Sequence, residues 1–246
     1  PPRSTLFPYT TLFRSLECTG DREDMRVNLL TAVLSDRDES FSTSVRLGLL
    51  REGEVRGWAG FSVGLWDDVD TNVKALCYFG HGISAGITSD RVLFIEQKAV
   101  PLPGNFDLSD VQLTLNAVPS GDGYTLVLDA VDKNGATGDL SLEGVSELRG
   151  LLALANKFNA VERKNGNPVF WFDDWRMEGG KLDPAPENSF GPILWSMYTL
   201  SRGTVKLTAQ MPPLGQLDPG KVILDLQRSE DHTSELQSRQ STPSRA

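Results

Sequence analysis

A period of two narrows what this chain can fold into more than any other feature. Val111, Leu113, Leu115 and Ala117 alternate with Gln112, Thr114 and Asn116. A turn over Ser120–Gly123 follows, and Tyr124, Leu126, Leu128 and Ala130 repeat the pattern. Successive strand residues point to opposite faces, so this alternation predicts strands with one buried face. The same signature recurs along the chain. Val45, Leu47 and Leu49 share a face of Ser44–Leu50, and Phe61, Val63 and Leu65 share one after the Glu52–Arg56 turn. Ala75–Phe79, Arg91–Glu96, Gly150–Phe158 and Val169–Trp175 read as further strands, and Met25–Ser35 as one buried on both faces. Asn134-Gly135 suits a tight hairpin, because both residues tolerate positive φ. Only Val145–Ala155 offers competing helix spacing. Many short strands separated by turn residues predict an all-β antiparallel sandwich.

The stretch Asn167–Leu200 divides this series from a second one. It holds Trp171, Trp175 and Trp195, three of the five tryptophans, and a crossing marked by Pro184 and Pro186. Beyond it Val205, Leu207, Ala209 and Met211 alternate over Thr204–Met211, and Val222, Leu224 and Leu226 over Lys221–Leu226. Two or three strands cannot bury a core unaided. The expected organisation is therefore a sandwich over 16–183, a linker over 184–189 and the truncated start of a second β domain over 190–227, with an annex of the first sandwich as the alternative for that last part.

Both ends read as foreign to the fold. Thr5–Ser15, TLFPYTTLFRS, resembles the codon-by-codon translation of a common sequencing adaptor, and Arg228–Ser238, RSEDHTSELQS, resembles the translated partner adaptor with Asp231 in place of Glu. Residues 1–15 and 228–246 are accordingly expected to be adaptor-derived, the latter as a disordered tail. The native segment then runs over Leu16–Gln227. Setting aside the five arginines and three acidic residues of those ends takes the net charge from −9 to −11.

An acidic chain without basic clusters argues against nucleic acid as a partner, since phosphate binding needs Lys and Arg to displace counterions. No apolar run approaches the ~20 residues of a membrane-spanning helix. Cys18 and Cys77 are too few for a disulfide framework. They read as two isolated thiols, with one bridge as the alternative in an oxidising compartment.

Four phrases together resemble a concanavalin-like, laminin-G-like jelly-roll domain: GWAGFSVGLWDDVD (57–70), FGHGISAGITSDRVLFI (79–95), LLALANKF (151–158) and FWFDDWRMEG (170–179). The continuation FGPILWSMYTLSRGTVKLTAQMPPLG (190–215) resembles the lead-in that follows such a domain in bacterial PhoD-like alkaline phosphatases. The resemblance implies a non-catalytic accessory sandwich of an extracellular or periplasmic protein, with a metallophosphoesterase domain in cis as its partner. The metal-binding Asp, His and Asn cluster of that catalytic domain is not among these residues. An independent, calcium-assisted carbohydrate-binding module is the alternative.

Candidate site residues follow from residue chemistry. Asp67, Asp68, Asp70 and Asn72 place four oxygen-bearing side chains within WDDVDTN, where calcium could find part of its six to eight oxygen ligands. The run lacks the Gly and Glu spacing of an EF-hand, and a solvated acidic loop is the plain alternative. Laminin-G-like folds bind calcium at a sandwich rim, so the resemblance strengthens the metal reading. Trp66, His81, Trp171 and Trp175 are candidate ligand contacts, because aromatic faces stack on sugar C–H groups; core packing is the alternative for each tryptophan and a structural rim position for His81. Gly80–Ala85 fits a degenerate dinucleotide fingerprint, but no helix follows it, so glycines permitting close strand approach are expected instead. Asp173 and Asp174, adjacent on a strand, face opposite ways and cannot flank one glycosidic bond.

Overall fold

A computed structural model of the chain describes residues 16–18, 24–158, 166–188 and 195–210. The adaptor-like ends and the strand expected over Lys221–Leu226 lie outside the described residues. The chain divides into two compact units, Pro1–Asn188 and Ser189–Ala246.

The first unit runs through β1 (Leu16–Glu17), β2 (Asp24–Leu34), β3 (Phe41–Arg51), β4 (Gly57–Trp66), α1 (Val73–Phe79), β5 (His81–Thr88), β6 (Val92–Ile95) and β7 (Lys98–Pro101). It continues through β8 (Val111–Ser120), β9 (Gly123–Asp132), β10 (Thr137–Val145), β11 (Gly150–Phe158), β12 (Val169–Gly179) and β13 (Leu182–Pro184), then a 3-10 turn at Pro186–Asn188. The strands form two antiparallel sheets, six strands in the order β1-β12-β3-β8-β9-β10 and seven in the order β13-β2-β11-β4-β5-β6-β7. Successive strands lie in different sheets at β1 and β2, β2 and β3, β3 and β4, β7 and β8, β10 and β11, and on either side of β12. This is an all-β antiparallel jelly-roll sandwich.

The period of two builds its core. Val45, Leu47, Leu113, Leu115, Leu126 and Leu128 come from the six-stranded sheet. Ala59, Phe61, Val63, Ile87, Leu93 and Ile95 meet them from the seven-stranded sheet. Each such large side chain, fully withdrawn from water, contributes about 1.5–3 kcal/mol. Val145–Ala155 resolves into the end of β10 and most of β11, a strand rather than the competing helix.

Three expectations are corrected. Ala75–Phe79 is helical, not extended: Val73, Leu76 and Cys77 recur at helix spacing on one face, and the Leu76 N–H donates to the Asn72 carbonyl. Leu65 leaves the face of Phe61 and Val63. Gly64, at φ 70°, turns the strand through a bulge that only a residue free of Cβ enters readily. Leu65 therefore joins Leu76, Leu151 and Ala153 in a small second cluster beneath α1. Finally, β2 is not buried on both faces: only Leu29, Ala32 and Leu34 are buried, and Asp24–Asn28 are exposed or half-buried.

The cysteines are free. Cys18 packs against the main core and Cys77 against the cluster beneath α1, so the alternative bridge is not formed. At the far end of the sandwich the buried Lys181 is anchored by donating to the Arg37 carbonyl and the Tyr124 hydroxyl, both at 2.8 Å.

The second unit contains a hairpin of β14 (Trp195–Ser201) and β15 (Thr204–Gln210). Arg202 and Gly203, at φ 49° and 74°, make the two-residue turn. Tyr198 pairs with Leu207 and Leu200 with Val205, so four apolar side chains share one face. All four are exposed, from 44% to 67%.

Candidate functional site

The acidic loop sits between β4 and α1, and the structure brings some of the expected residues together there. Trp66 pairs across the sheet with His81. The Trp66 indole N–H donates to Asp68 Oδ1 at 3.0 Å. The Arg149 guanidinium lies over the Trp66 ring, 4.4 Å from its centroid. Arg149 also reaches Glu147 at 2.9 Å, Asp68 at 3.3 Å and Asp36 at 3.8 Å. Asp67 Oδ1 accepts the Val69 N–H and Asp70 Oδ1 accepts the Asn72 N–H, each at 2.8 Å. These are Asx turns, in which a carboxylate is engaged by its own backbone two residues on. Among the described residues no three His, Cys, Asp or Glu side chains converge as a metal-binding group. In this arrangement one oxygen of each loop aspartate is engaged by a protein donor.

Trp171 and Trp175 are not brought together. A bulge between Asp173 and Arg176 interrupts the pairing of β12 with β3, and Asp174 adopts φ 49°. Trp171 lies beside Gly48, whose missing Cβ leaves room for the indole, and Arg46 sits 5.5 Å from its ring centroid. Trp175 packs against the main core, and its indole N–H donates to Thr43 Oγ1 at 3.0 Å. The neighbouring carboxylates serve the bulge. Asp173 Oδ1 accepts the Asp174 N–H at 2.8 Å, and Asp174 meets Arg176 at 3.6 Å.

A different aromatic group occupies the outer face of the seven-stranded sheet. With Ala59, Phe61 and Val63 turned inward, Trp58, Gly60 and Ser62 face out. Trp58 pairs with Thr88 and Lys157, Gly60 with Gly86 and Ala155, and Ser62 with Ser84 and Ala153. The result is a floor of small side chains with Trp58 standing at one end. Gly86 is required for that closeness, because a Cβ there would run into the Ala59 carbonyl.

Trp58 is half-buried, and Phe94 meets it edge-on with centroids 5.1 Å apart and planes at 79°. Lys157 Nζ lies 5.8 Å from the Trp58 ring and 3.1 Å from Asp24, which also holds Arg26 at 3.3 Å. Asn28, across from Ala153, has its Oδ1 buried without a partner. An aromatic wall, a charged trio and an unmet acceptor thus share one face. Sequence reasoning placed Trp58 among five tryptophans but did not single it out. The signal available was its position directly before the inward-facing Ala59-x-Phe61-x-Val63 run.

No protein-family model matches the sequence, and comparison with curated proteins finds no match. Solved structures with a similar arrangement include the lectin I-B4 from Griffonia simplicifolia in metal-free form, with TM-score 0.44, 11% identity, and coverage of 64% of this chain and 80% of the lectin. The lectin from Bauhinia forficata in complex with GalNAc matches at TM-score 0.41 and 9% identity, over 67% of this chain and 98% of that one. The CBM2 module of the evolved Dit of Lactobacillus casei BL23 phage J-1 matches at TM-score 0.37 and 13% identity, over 63% and 67%. Likeness this distant concerns the two-sheet arrangement and carries no site residue across.

Proposed function

We propose that the first unit is a non-catalytic carbohydrate-binding sandwich module, with the outer face of the seven-stranded sheet as its binding face. The observation that carries this reading is Trp58. Its ring is half-buried and braced by Phe94 and Lys157. A rigid aromatic face stacks on the C–H face of a sugar ring, while Asp24, Arg26 and Lys157 offer charged hydrogen-bonding groups to hydroxyls. A glycan array on the full chain, with and without calcium, tests it. Binding to at least one polysaccharide is expected, with loss of at least tenfold in affinity in Trp58→Ala and less than about twofold in Trp171→Ala. Silence across the array, or equal loss in both variants, would remove the reading.

A second reading, the accessory module of a PhoD-like phosphatase, is favoured by the hairpin β14–β15. Its exposed apolar face, with Tyr198, Leu200, Val205 and Leu207, suits packing against further protein. It needs a metallophosphoesterase domain in the same chain, which the complete gene would reveal.

A further inference from the structure

Two cations share one anion beside Trp58. Asp24 Oδ2 meets Lys157 Nζ at 3.1 Å, and Asp24 Oδ1 meets Arg26 Nε at 3.3 Å. Strand register puts all three on the outer face: Asp24 lies opposite Lys157, Arg26 opposite Ala155, and Lys157 opposite Trp58. The outward positions of β4 from Gly60 to Ser62, and of β5 from Ser84 to Thr88, carry no charge. Just outside the ends of those strands, Arg56 and Asp90 neutralise each other at 3.0 Å. The Glu96 carboxylate is taken up at Ser84, whose N–H it accepts, two outward positions along β5 from Thr88, the partner of Trp58. Among the described residues around Trp58, one positive charge is therefore left in excess.

The shared carboxylate does not exhaust the donors of an ammonium and a guanidinium. Both side chains still reach water, 28% exposed at Lys157 and 18% at Arg26. Lys157 Nζ also stands 5.8 Å from the Trp58 ring centroid, within reach of a substituent on a sugar ring stacked there. Such donors bind a carboxylate about twice as strongly as a neutral hydroxyl, because the hydrogen bond is charge-assisted at both ends. The net charge of −9 on the whole chain opposes an anion at long range. Salt screens exposed charges beyond about 8 Å at physiological ionic strength, so the neighbouring cations decide.

We infer that the Trp58 face takes an acidic saccharide, in which the ring of a uronate residue stacks on Trp58 and its carboxylate is received by Lys157 and Arg26. This inference rests on the carbohydrate reading of the same face and adds to it the charge of the sugar. Asp24 then acts as the internal stand-in for the ligand: it holds both cations in place on the empty face and competes with the incoming carboxylate for them.

The test uses the full chain and an array of neutral polysaccharides together with glucuronoxylan and gum arabic, each of these two beside its carboxyl-reduced form. Reduction removes the charge and leaves the rest of the polymer as it was. The acidic form of at least one of the two is expected to bind at least about fivefold tighter than its reduced form at low salt, with the advantage shrinking as salt is raised. Lys157→Gln should remove that difference. Asp24→Asn, which releases both cations, should widen it, a gain that loss of the fold does not produce. Neutral polysaccharides bound as tightly as the acidic ones, or a preference unchanged in both variants, would overturn the inference and leave the carbohydrate reading standing. Silence across the whole array would remove that reading and the inference with it.

Discussion

Two corners of the sandwich each carry three aspartates, and they are built in opposite ways. At the Asp132 corner the partners come from separate segments. Asp132 is 4% exposed, and its carboxylate accepts the N–H groups of Asp107, Asn134 and Ala136, each at 2.8 Å. Asp107 pairs with Lys133 at 2.8 Å, and the Arg46 fork grips both oxygens of Asp110, one of them at 2.7 Å. At the Asp67–Asp70 corner, Asp67 and Asp70 each bind a backbone N–H two residues on, while Asp68 stands 84% exposed beside Trp66 and Arg149. The first corner ties the 107–110 loop to the β9–β10 turn. The second shapes only its own loop. A run of carboxylates in sequence is thus a poor guide to where carboxylates converge.

The largest expected effect separates the corners directly. Asp132→Ala would strand three backbone donors in a nearly dry site, and should lower the unfolding temperature by roughly 5–10 °C. The matching Asp68→Ala should lower it by less than about 2 °C, because its partners remain accessible to water. Calorimetry of both variants measures the difference, and equal shifts would break the comparison.

A smaller effect follows from pH. The backbone N–H of Asp107, then those of Ala136 and Asn134, hold Asp132 below the usual carboxylate range. Arg46 does the same for Asp110, and Lys133 for Asp107. A carboxyl whose pKa is lowered by folding lends stability that is present above its unfolded value, here the ordinary 3.8, and lost as pH falls through the folded value. Urea midpoints should therefore hold from pH 6 to about 4 and drop below it, and Asp132→Ala should flatten that drop. An unchanged acid limb in the variant would assign the loss to other carboxylates.

The same contrast explains what the sequence disclosed. Strand identity and the core were legible wherever alternation was unbroken, as in Val111–Ala117 and Tyr124–Ala130, because the period itself selects the buried face. It failed at Leu65, where the Gly64 bulge adds a residue and exchanges faces, which hydrophobicity alone does not register. It failed at Ala75–Phe79, where five residues are too few to separate a period of two from one of 3.6. The site around Trp58 was hidden for a different reason. It is assembled from β2, β4, β5, β6 and β11, so neither its small-residue floor nor the Lys157–Asp24 pair is adjacent in sequence. The Asp132 corner was hidden likewise, since Asp132 lies 25 and 22 residues from Asp107 and Asp110.

The smallest expected effect bears on the loop that first looked like a metal site. Calcium binding there would require Asp68 to leave Arg149 and the Trp66 indole, and Asp67 and Asp70 to exchange backbone N–H groups for the ion. Arg149 carries three acidic neighbours, and its Nε is buried without a partner, so freeing Asp68 would set a cation back against the Trp66 ring with fewer charges to balance it. The protein should then gain less than about 1 °C in unfolding temperature from 1 mM calcium over magnesium, the shift expected when the ion stays well below its dissociation constant. A rise of several degrees that disappears in Asp68→Ala would show the opposite. The loop would then rearrange around an ion, and the two corners would differ in what they bind rather than in how tightly they are tied.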